Sequence, residues 1–320
     1  MSIKKKIIVV CHDAGGAEII AAFLKYECVG LNSSCFVAGP AVAIFARYGI
    51  PVVDMTNVKE PLKIIFDWGE DPFFILFGIG WSSLFEISAL QEALRRGITT
   101  VVYLDHWLNY RERFGYPQDG WKKRLPNEIW VGDSYAESIA KKEFPEILIR
   151  FVPNRSFDDA KARYASIADT IKEDPEAVLF LGEPMNEPIN AMGMKRKMMF
   201  TEFDVLDDML YVLSKKDEAP PLIIIRLHPS ESKDKYNLVI AKYSSLFKIR
   251  ISEATDLCID LAAVGVVIGM ESMALVVAYL CGKRTISYLP DESKQCGLPF
   301  TKIEKIKILD DLKKVLLHAS

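Results

Sequence analysis

The sequence predicts two α/β domains in series, each built on a mostly parallel sheet. Three observations predict it. Short apolar runs alternate with stretches of helical period through both halves of the chain. Glycine and polar residues cluster at the ends of those runs, where ligands gather in open parallel sheets. A polar segment without strand pattern, Asn154 to Glu176, interrupts the alternation once, near the middle. The chain has 320 residues, more than one core usually serves. The expected division places residues 1–155 in the first domain and 156–320 in the second.

The first half reads in order as follows. Lys6 to Cys11 is a β-rich run, His12-Asp13-Ala14-Gly15-Gly16 a turn, and Ala17 to Tyr26 a helix. Ser34 to Ala38 is a second strand and Pro40 to Tyr48 a second helix, with Pro51-Val52-Val53 a short third strand. Phe73 to Phe77 is an apolar strand that ends in Gly78-Ile79-Gly80-Trp81-Ser82-Ser83, and Leu84 to Arg96 is an amphipathic helix. Thr99 to Leu104 is a strand ending at Asp105-His106-Trp107. Glu128 to Val131 is a strand and Tyr135 to Glu143 a helix.

Between the halves, Ser156 to Ile171 has a charged, helical look. Ala177 to Leu181 restarts the strands and opens onto Gly182-Glu183-Pro184. The helix Phe203 to Ser214, the strand Leu222 to Ile225, the helix Tyr236 to Ser245 and the strand Phe247 to Ile251 follow. Asp256 to Ala263 is a short helix, Val264 to Ile268 a strand, Met273 to Cys281 a helix, Thr285 to Tyr288 a strand and Leu309 to His318 a terminal helix.

Composition narrows the function. Half the residues are hydrophobic and 26% are charged, as in a soluble globular protein. A net charge of -3 gives no support for a nucleic-acid surface. The six cysteines form no C-x-x-C pair and read as reduced thiols. No secretory signal is evident, and no run reaches the roughly 18 apolar residues of a membrane span. A cytoplasmic protein is expected, with peripheral contact at the inner face of the membrane left open.

Two strand ends in the second half point to a phosphate. Gly269-Met270-Glu271-Ser272-Met273-Ala274 reads as a glycine turn entering a helix, where N–H groups and the helix dipole suit an anion. His228 stands at a strand end before Pro229, which biases it away from helical backbone. It can donate to a phosphate oxygen or act as a general acid. Arg226 should share its face of the strand and is a natural phosphate partner. Glu271 can accept from two ribose hydroxyls, and Gly182 and Glu183 lie at the first turn of this domain. Plainer readings stand beside these: a turn-capping histidine, an ion-paired Arg226, an N-cap serine, and a glutamate that only complements the helix dipole.

In the first half, Asp105 is a candidate general base, with His106 its holder or itself the functional group. The tail through Trp107, Asn109, Tyr110, Arg111 and Arg113 suits sugar stacking and hydroxyl contacts. A buried Asp105 bonded to backbone amides is the plain alternative. Asp13 is a second candidate base. His12, Gly15 and Gly16 allow a ligand close to the backbone, though the loop is neither G-x-G-x-x-G nor a P-loop. Trp81 and Ser82 form a third loop of this kind, with Trp81 either core or an acceptor platform. No H-E-x-x-H, G-x-S-x-G, EF-hand loop or D-x-D beside a diphosphate is present, so charge neutralisation without a metal or other cofactor is expected.

Two Rossmann-like halves, a strand ending in His228-Pro229 and a helix-start Ser272 resemble the GT-B glycosyltransferases, above all bacterial sialyltransferases and the Kdo and nonulosonate transferases. The resemblance implies two domains facing each other across a cleft and a CMP-activated sugar as donor substrate. It implies that His228 and Ser272 meet the leaving phosphate, and that an acceptor hydroxyl on a glycan, lipid-linked glycan or protein loses its proton to Asp105. The segment Gly282-Lys283-Arg284-Thr285-Ile286-Ser287 also resembles stretches of UDP-GlcNAc 2-epimerases and polyol-phosphate polymerases. The alternatives are therefore a UDP-sugar 2-epimerase and a nucleotide-sugar-binding protein without catalysis.

Overall fold

The computed structural model describes residues 6–28, 32–68, 72–80, 83–185 and 199–317. Among them the chain divides into two compact units, one up to Ser156 and one from Phe157 onward. The connecting helix, Arg155–Ala168 (α6), starts at that junction.

The first unit is a seven-stranded sheet. Its strands are β1 (Lys6–Cys11), β2 (Asn32–Val37), β3 (Val53–Asp54), β4 (Phe74–Gly78), β5 (Thr100–Leu104), β6 (Glu128–Val131) and β7 (Leu148–Phe151). They run parallel in the order β3-β2-β1-β4-β5-β6-β7. Helices α1 (Ala14–Tyr26), α2 (Pro40–Arg47), α3 (Pro61–Phe66), α4 (Phe85–Arg95) and α5 (Ser134–Glu143) connect them. The direction of winding reverses between β1 and β4, which makes the carboxyl ends of those two strands the switch point where such sheets bind ligands. Central strands covered on both faces require near-continuous apolar sequence, and every residue of β5 is buried. Phe23, Phe74, Tyr103 and Trp130 pack edge to face on one side.

The second unit repeats the plan with β8 (Asp174–Leu181), β9 (Ile223–Arg226), β10 (Ile249–Ile251), β11 (Val264–Gly269), β12 (Arg284–Tyr288) and β13 (Glu304–Ile306). The order is β10-β9-β8-β11-β12-β13, again parallel, with the switch between β8 and β11. Its helices are α7 (Glu202–Leu213), α8 (Asn237–Tyr243), α9 (Leu257–Ala263), α10 (Met273–Leu280) and α11 (Leu309–Leu317). Phe180, Leu206, Met209, Leu210, Ile225 and Tyr236 belong to its core. No helix among the described residues is long and apolar enough to cross a membrane.

Several elements differ from the sequence reading. β8 begins at Asp174, because its first three residues are an exposed, charged overhang of an otherwise buried strand. β7 is an edge strand whose residues are largely exposed, so it carries no core alternation to reveal it. α3 begins at Pro61, in the first-turn position where proline's missing N–H costs nothing.

Helix α1 begins at Ala14, so Gly15 and Gly16 lie in its first turn and not in a loop. At Gly16 the helix meets β4 directly: an added Cβ would fall 2.6 Å from the carbonyl oxygen of Gly78. Gly16→Ala gains about 1 kcal/mol of helix propensity, but the clash is with strand backbone, which cannot swing aside. The net should be a loss of roughly 1–3 kcal/mol from overpacking. Urea unfolding followed by tryptophan fluorescence reads this unit alone, since Trp68, Trp81, Trp107, Trp121 and Trp130 all precede Ser156. An unchanged or raised midpoint would contradict it.

Candidate functional site

At the switch point of the first unit, β1 ends and His12 and Asp13 lead into α1. Asp13 takes the N-cap position in extended backbone, yet its side chain makes no capping bond. Its carboxylate turns to His12, with Oδ1 2.9 Å from Nδ1. It also covers Gly80, where an added Cβ would lie 1.6 Å from Oδ2. That hydrogen bond to Asp13 raises the His12 pKa above its ordinary value.

Glu86, in the first turn of α4, reaches back beneath this loop. Its Oε1 accepts from the backbone N–H groups of His12 at 2.6 Å and Asp13 at 3.3 Å. The residue is 1% exposed, and its Oε2 has no hydrogen-bond partner among the described residues. Burial, reinforced by the Asp13 charge, pushes its pKa up to about 8.

Asp105 approaches α1 from the end of β5. Its Oδ1 accepts from Arg113 Nη1 at 2.6 Å, and the same nitrogen donates to the Ile79 carbonyl at 2.8 Å. Arg113 is buried and so ties the ends of β4 and β5 together. The carboxylate occupies the space above Gly15, where an added Cβ would sit 1.8 Å from Oδ2. The glycine pair read as an approach for a ligand thus serves close contacts within the protein: Gly15 with Asp105, Gly16 with Gly78.

The aromatic tail after β5 also departs from expectation. Trp107 and Tyr110 are buried. Trp107 Nε1 donates to Asp133 Oδ2 at 2.8 Å, and the Tyr110 ring stacks on Phe144. These rings fill the ends of β5 and β6 and are not a sugar platform. His106 Nδ1 accepts from the Trp107 N–H at 2.9 Å. Asp105, His106, Trp107, Asp133 and Asn154 line a small pocket at these strand ends. Trp81 and Ser82 lie outside the described residues.

The switch point of the second unit is held by carboxylates. Glu183, just beyond β8, accepts at Oε2 from the Glu271 N–H at 2.8 Å, bridging the ends of β8 and β11. Glu271 is buried; Oε1 accepts from the Gly297 N–H at 2.8 Å, and Oε2 lies 2.9 Å from Lys294 Nζ. Those partners engage the oxygens expected to meet a ribose. Gly269 is packed against Leu181. Ser272 caps α10, with Oγ accepting from the Leu275 N–H at 3.4 Å, and Met273 opens the helix.

Arg226 does not share a ligand with His228. Its Nη1 donates to Asp260 Oδ2 at 2.6 Å and to the Ala254 carbonyl at 3.0 Å. Asp260 is buried and needs a cation, which is why the ion-paired alternative prevails over a phosphate-facing one. His228 takes the turn-capping geometry: Nδ1 accepts from the Ser230 N–H at 3.2 Å, which leaves the ring proton on Nε2 when the imidazole is neutral.

Beneath His228 lies a network that the sequence reading missed. Glu231 Oε2 accepts from the His228 N–H at 2.9 Å, and Oε1 from Lys235 Nζ at 2.9 Å and the Tyr236 hydroxyl at 3.2 Å. Lys235 Nζ also lies 2.5 Å from Glu202 Oε1, while Glu202 Oε2 accepts from the Met185 N–H. Glu231 further occupies the space over Gly182, where an added Cβ would fall 2.5 Å from Oε2. Among the described residues no three His, Cys, Asp or Glu side chains are grouped to hold a metal ion.

No protein-family model and no curated protein sequence matches the chain. Solved structures match it over nearly its whole length. The Methanocaldococcus jannaschii UDP-GlcNAc 2-epimerase, in complex with UDP-GlcNAc and UDP, aligns with a TM-score of 0.69 at 12% identity, covering 98% of this chain and 93% of that one. Anabaena HepE, in complex with UDP and glucose, aligns at 0.63 and 11%, covering 98% and 89%. The glycosyltransferase of kitacinnamycin aligns at 0.56 and 11%, covering 99% and 90%. The fold is therefore the two-domain α/β arrangement of GT-B-like epimerases and glycosyltransferases. At these identities the likeness concerns the fold alone.

Proposed function

We propose that this chain is a nucleotide-sugar enzyme that acts on a UDP-sugar as a 2-epimerase does. The observation that carries the reading is the pair of carboxylates, Asp13 and Asp105, brought to one helix turn at the switch point in different surroundings. Inverting a sugar carbon requires removal of a proton from one face and return of a proton to the other, hence two groups with separate roles. Asp105, ion-paired to buried Arg113, is the base. Asp13, bonded to His12 and above Glu86, belongs to the acid. The nucleotide falls to the second unit, where His228 Nε2 and the start of α10 at Ser272 supply donors for phosphate.

UDP is preferred to CMP because the epimerase and HepE structures just described carry UDP and UDP-GlcNAc. Sugar transfer to an acceptor hydroxyl is the second reading. It is favoured by the likeness to the kitacinnamycin glycosyltransferase, and it needs only one base, Asp105. A CMP-linked nonulosonate donor draws no support from these neighbours.

Calorimetric titration with UDP and CMP, followed by proton NMR of UDP-GlcNAc incubated with the protein, tests both readings. UDP binding and a new C2 epimer without any acceptor are expected. Asp105→Asn should lower turnover by about 10²–10⁴-fold while UDP binding is kept. Tighter binding of CMP, or no nucleotide binding, would overturn the proposal. UDP binding with turnover only when an acceptor is added would decide for transfer.

A further inference from the structure

His12 and Asp13 form a side-chain pair that the start of α1 does not require. An aspartate at an N-cap ordinarily accepts from a first-turn N–H. Asp13 holds that position without a capping bond, and its Oδ1 meets His12 Nδ1 at 2.9 Å. An ionised carboxylate only accepts, so Nδ1 carries the proton and the neutral ring keeps its lone pair on Nε2. His228 is the opposite tautomer, with Nδ1 the acceptor.

Two further contacts hold the pair. Glu86 Oε1 accepts from the backbone N–H groups of both residues, which anchors the loop to α4. On the other side, the N-cap of α2 is Gly39, with φ 55°. A Cβ added there would fall 2.6 Å from His12 Nε2, so a side chain at this position would press on that nitrogen. Nε2 has no hydrogen-bond partner among the described residues, and the His12 side chain is 22% exposed. One ring nitrogen is thus held and the other unbonded. The Asp105 carboxylate lies close by, over Gly15, two residues beyond Asp13.

We propose that His12 returns the proton in the epimerisation proposed above, through Nε2, and that Asp13 is its positioning residue. The inference rests on that reading of the reaction. Asp105 takes the proton as the C–H bond at the sugar's C2 breaks. The His12 imidazolium then gives its Nε2 proton to the opposite face of that carbon, where the new C–H bond forms. Asp105 ends protonated and His12 neutral. Asp105 loses its proton to water and His12 regains one from water, which resets both.

NMR titration of the His12 ring, assigned through its backbone amide in the full chain, tests the pair. Turnover of UDP-GlcNAc in D₂O tests its role. His12 should titrate above the ordinary 6.5, because the Asp13 bond favours the imidazolium more than burial opposes it, and Glu86 from α4 adds to the same side once ionised. Asp13→Asn should bring that value down. In D₂O the unaltered chain should form a C2 epimer that carries deuterium. His12→Gln should slow epimer formation by about 10²–10⁴-fold, while UDP still binds and recovered UDP-GlcNAc still gains deuterium at C2 through Asp105. A His12 that titrates at or below 6.5, or that ignores Asp13→Asn, would overturn the pair whatever the chain's reaction. The titration of the unaltered chain stands even if a variant does not fold. Epimer formation slowed less than about tenfold in His12→Gln, or C2 exchange lost with it, would overturn the role. If the unaltered chain forms no C2 epimer, the reading of the reaction fails and the proton-return role falls with it.

Discussion

Replacing Glu86 with glutamine should flatten the pH dependence of the first unit's stability between about pH 4.5 and 8. The native carboxyl titrates at about 8, and its ordinary value is 4.5. In that window the folded state holds a proton that the unfolded state has released. Stability must therefore fall as pH rises, by up to about 1.4 kcal/mol per pH unit. Above about 8 both states are ionised and the loss levels off. The integrated effect is roughly 3–5 kcal/mol as an upper bound, since relaxation and water entry reduce it.

Glutamine is the right substitution because its amide imitates the neutral acid. Its Oε1 can keep both bonds to the His12 and Asp13 N–H groups. Its NH₂ takes the place of an Oε2 that has no hydrogen-bond partner among the described residues. Urea titrations by tryptophan fluorescence at pH 5, 6.5 and 8 should show the variant close to the parent in acid and more stable at pH 8. Parallel stability curves for the two proteins would sink the idea that Glu86 is neutral in the fold. Glu86→Ala should be destabilising at every pH, because it abandons two backbone donors.

Much of the fold was legible because both sheets are parallel and covered on both faces, so their central strands are short blocks of Val, Ile, Leu and Phe. The Ile223–Ile225 core of β9 and the whole of β5 are of this kind. What stayed hidden lies at the edges. β7 and β13 have only three or four residues each and little burial, and periodicity has nothing to register there. In the candidate site, Asp13 and Asp105 were legible because they stand at the ends of such blocks.

Their partners were not. Ser83 and Glu86 have the S-x-x-E spacing of a capping box, a purely local reading. In the structure Ser83 Oγ accepts from the Phe85 N–H, while Glu86 serves a loop that is 73 residues away in sequence. Arg226 departs in the opposite sense: strand alternation places it with His228 as a phosphate partner, but Asp260, 34 residues on, claims it. Long-range pairing of buried charges leaves no periodic trace, so the sequence offers candidates without saying which of them neutralise one another.

Lys235 makes the same point quantitatively. Burial opposes its charge, yet bonds to Glu202 and Glu231 outweigh that and raise its pKa. Both carboxylates are almost wholly enclosed, with side chains 1% and 0% exposed. Lys235→Met keeps the volume and removes the cation that, among the described residues, bridges them, setting two buried negative charges against each other. Breaking one side of such a network costs about 3–5 kcal/mol. For a unit of this size that corresponds to a fall of roughly 10 °C in Tm.

The two carboxylates also hold backbone, since Glu202 accepts from Met185 and Glu231 from His228. The turns after β8 and β9 should therefore loosen together. Calorimetry should show the second unit's transition moving while the tryptophan-reported first unit stays in place. Amide exchange should rise at both turns. Adding Glu202→Gln and Glu231→Gln to Lys235→Met keeps the acceptors and removes both charges, so most of the loss should return. If Lys235→Met alone shifts the transition by no more than an exposed lysine would, or if the triple variant is no better than the single one, charge balance is not what organises these turns.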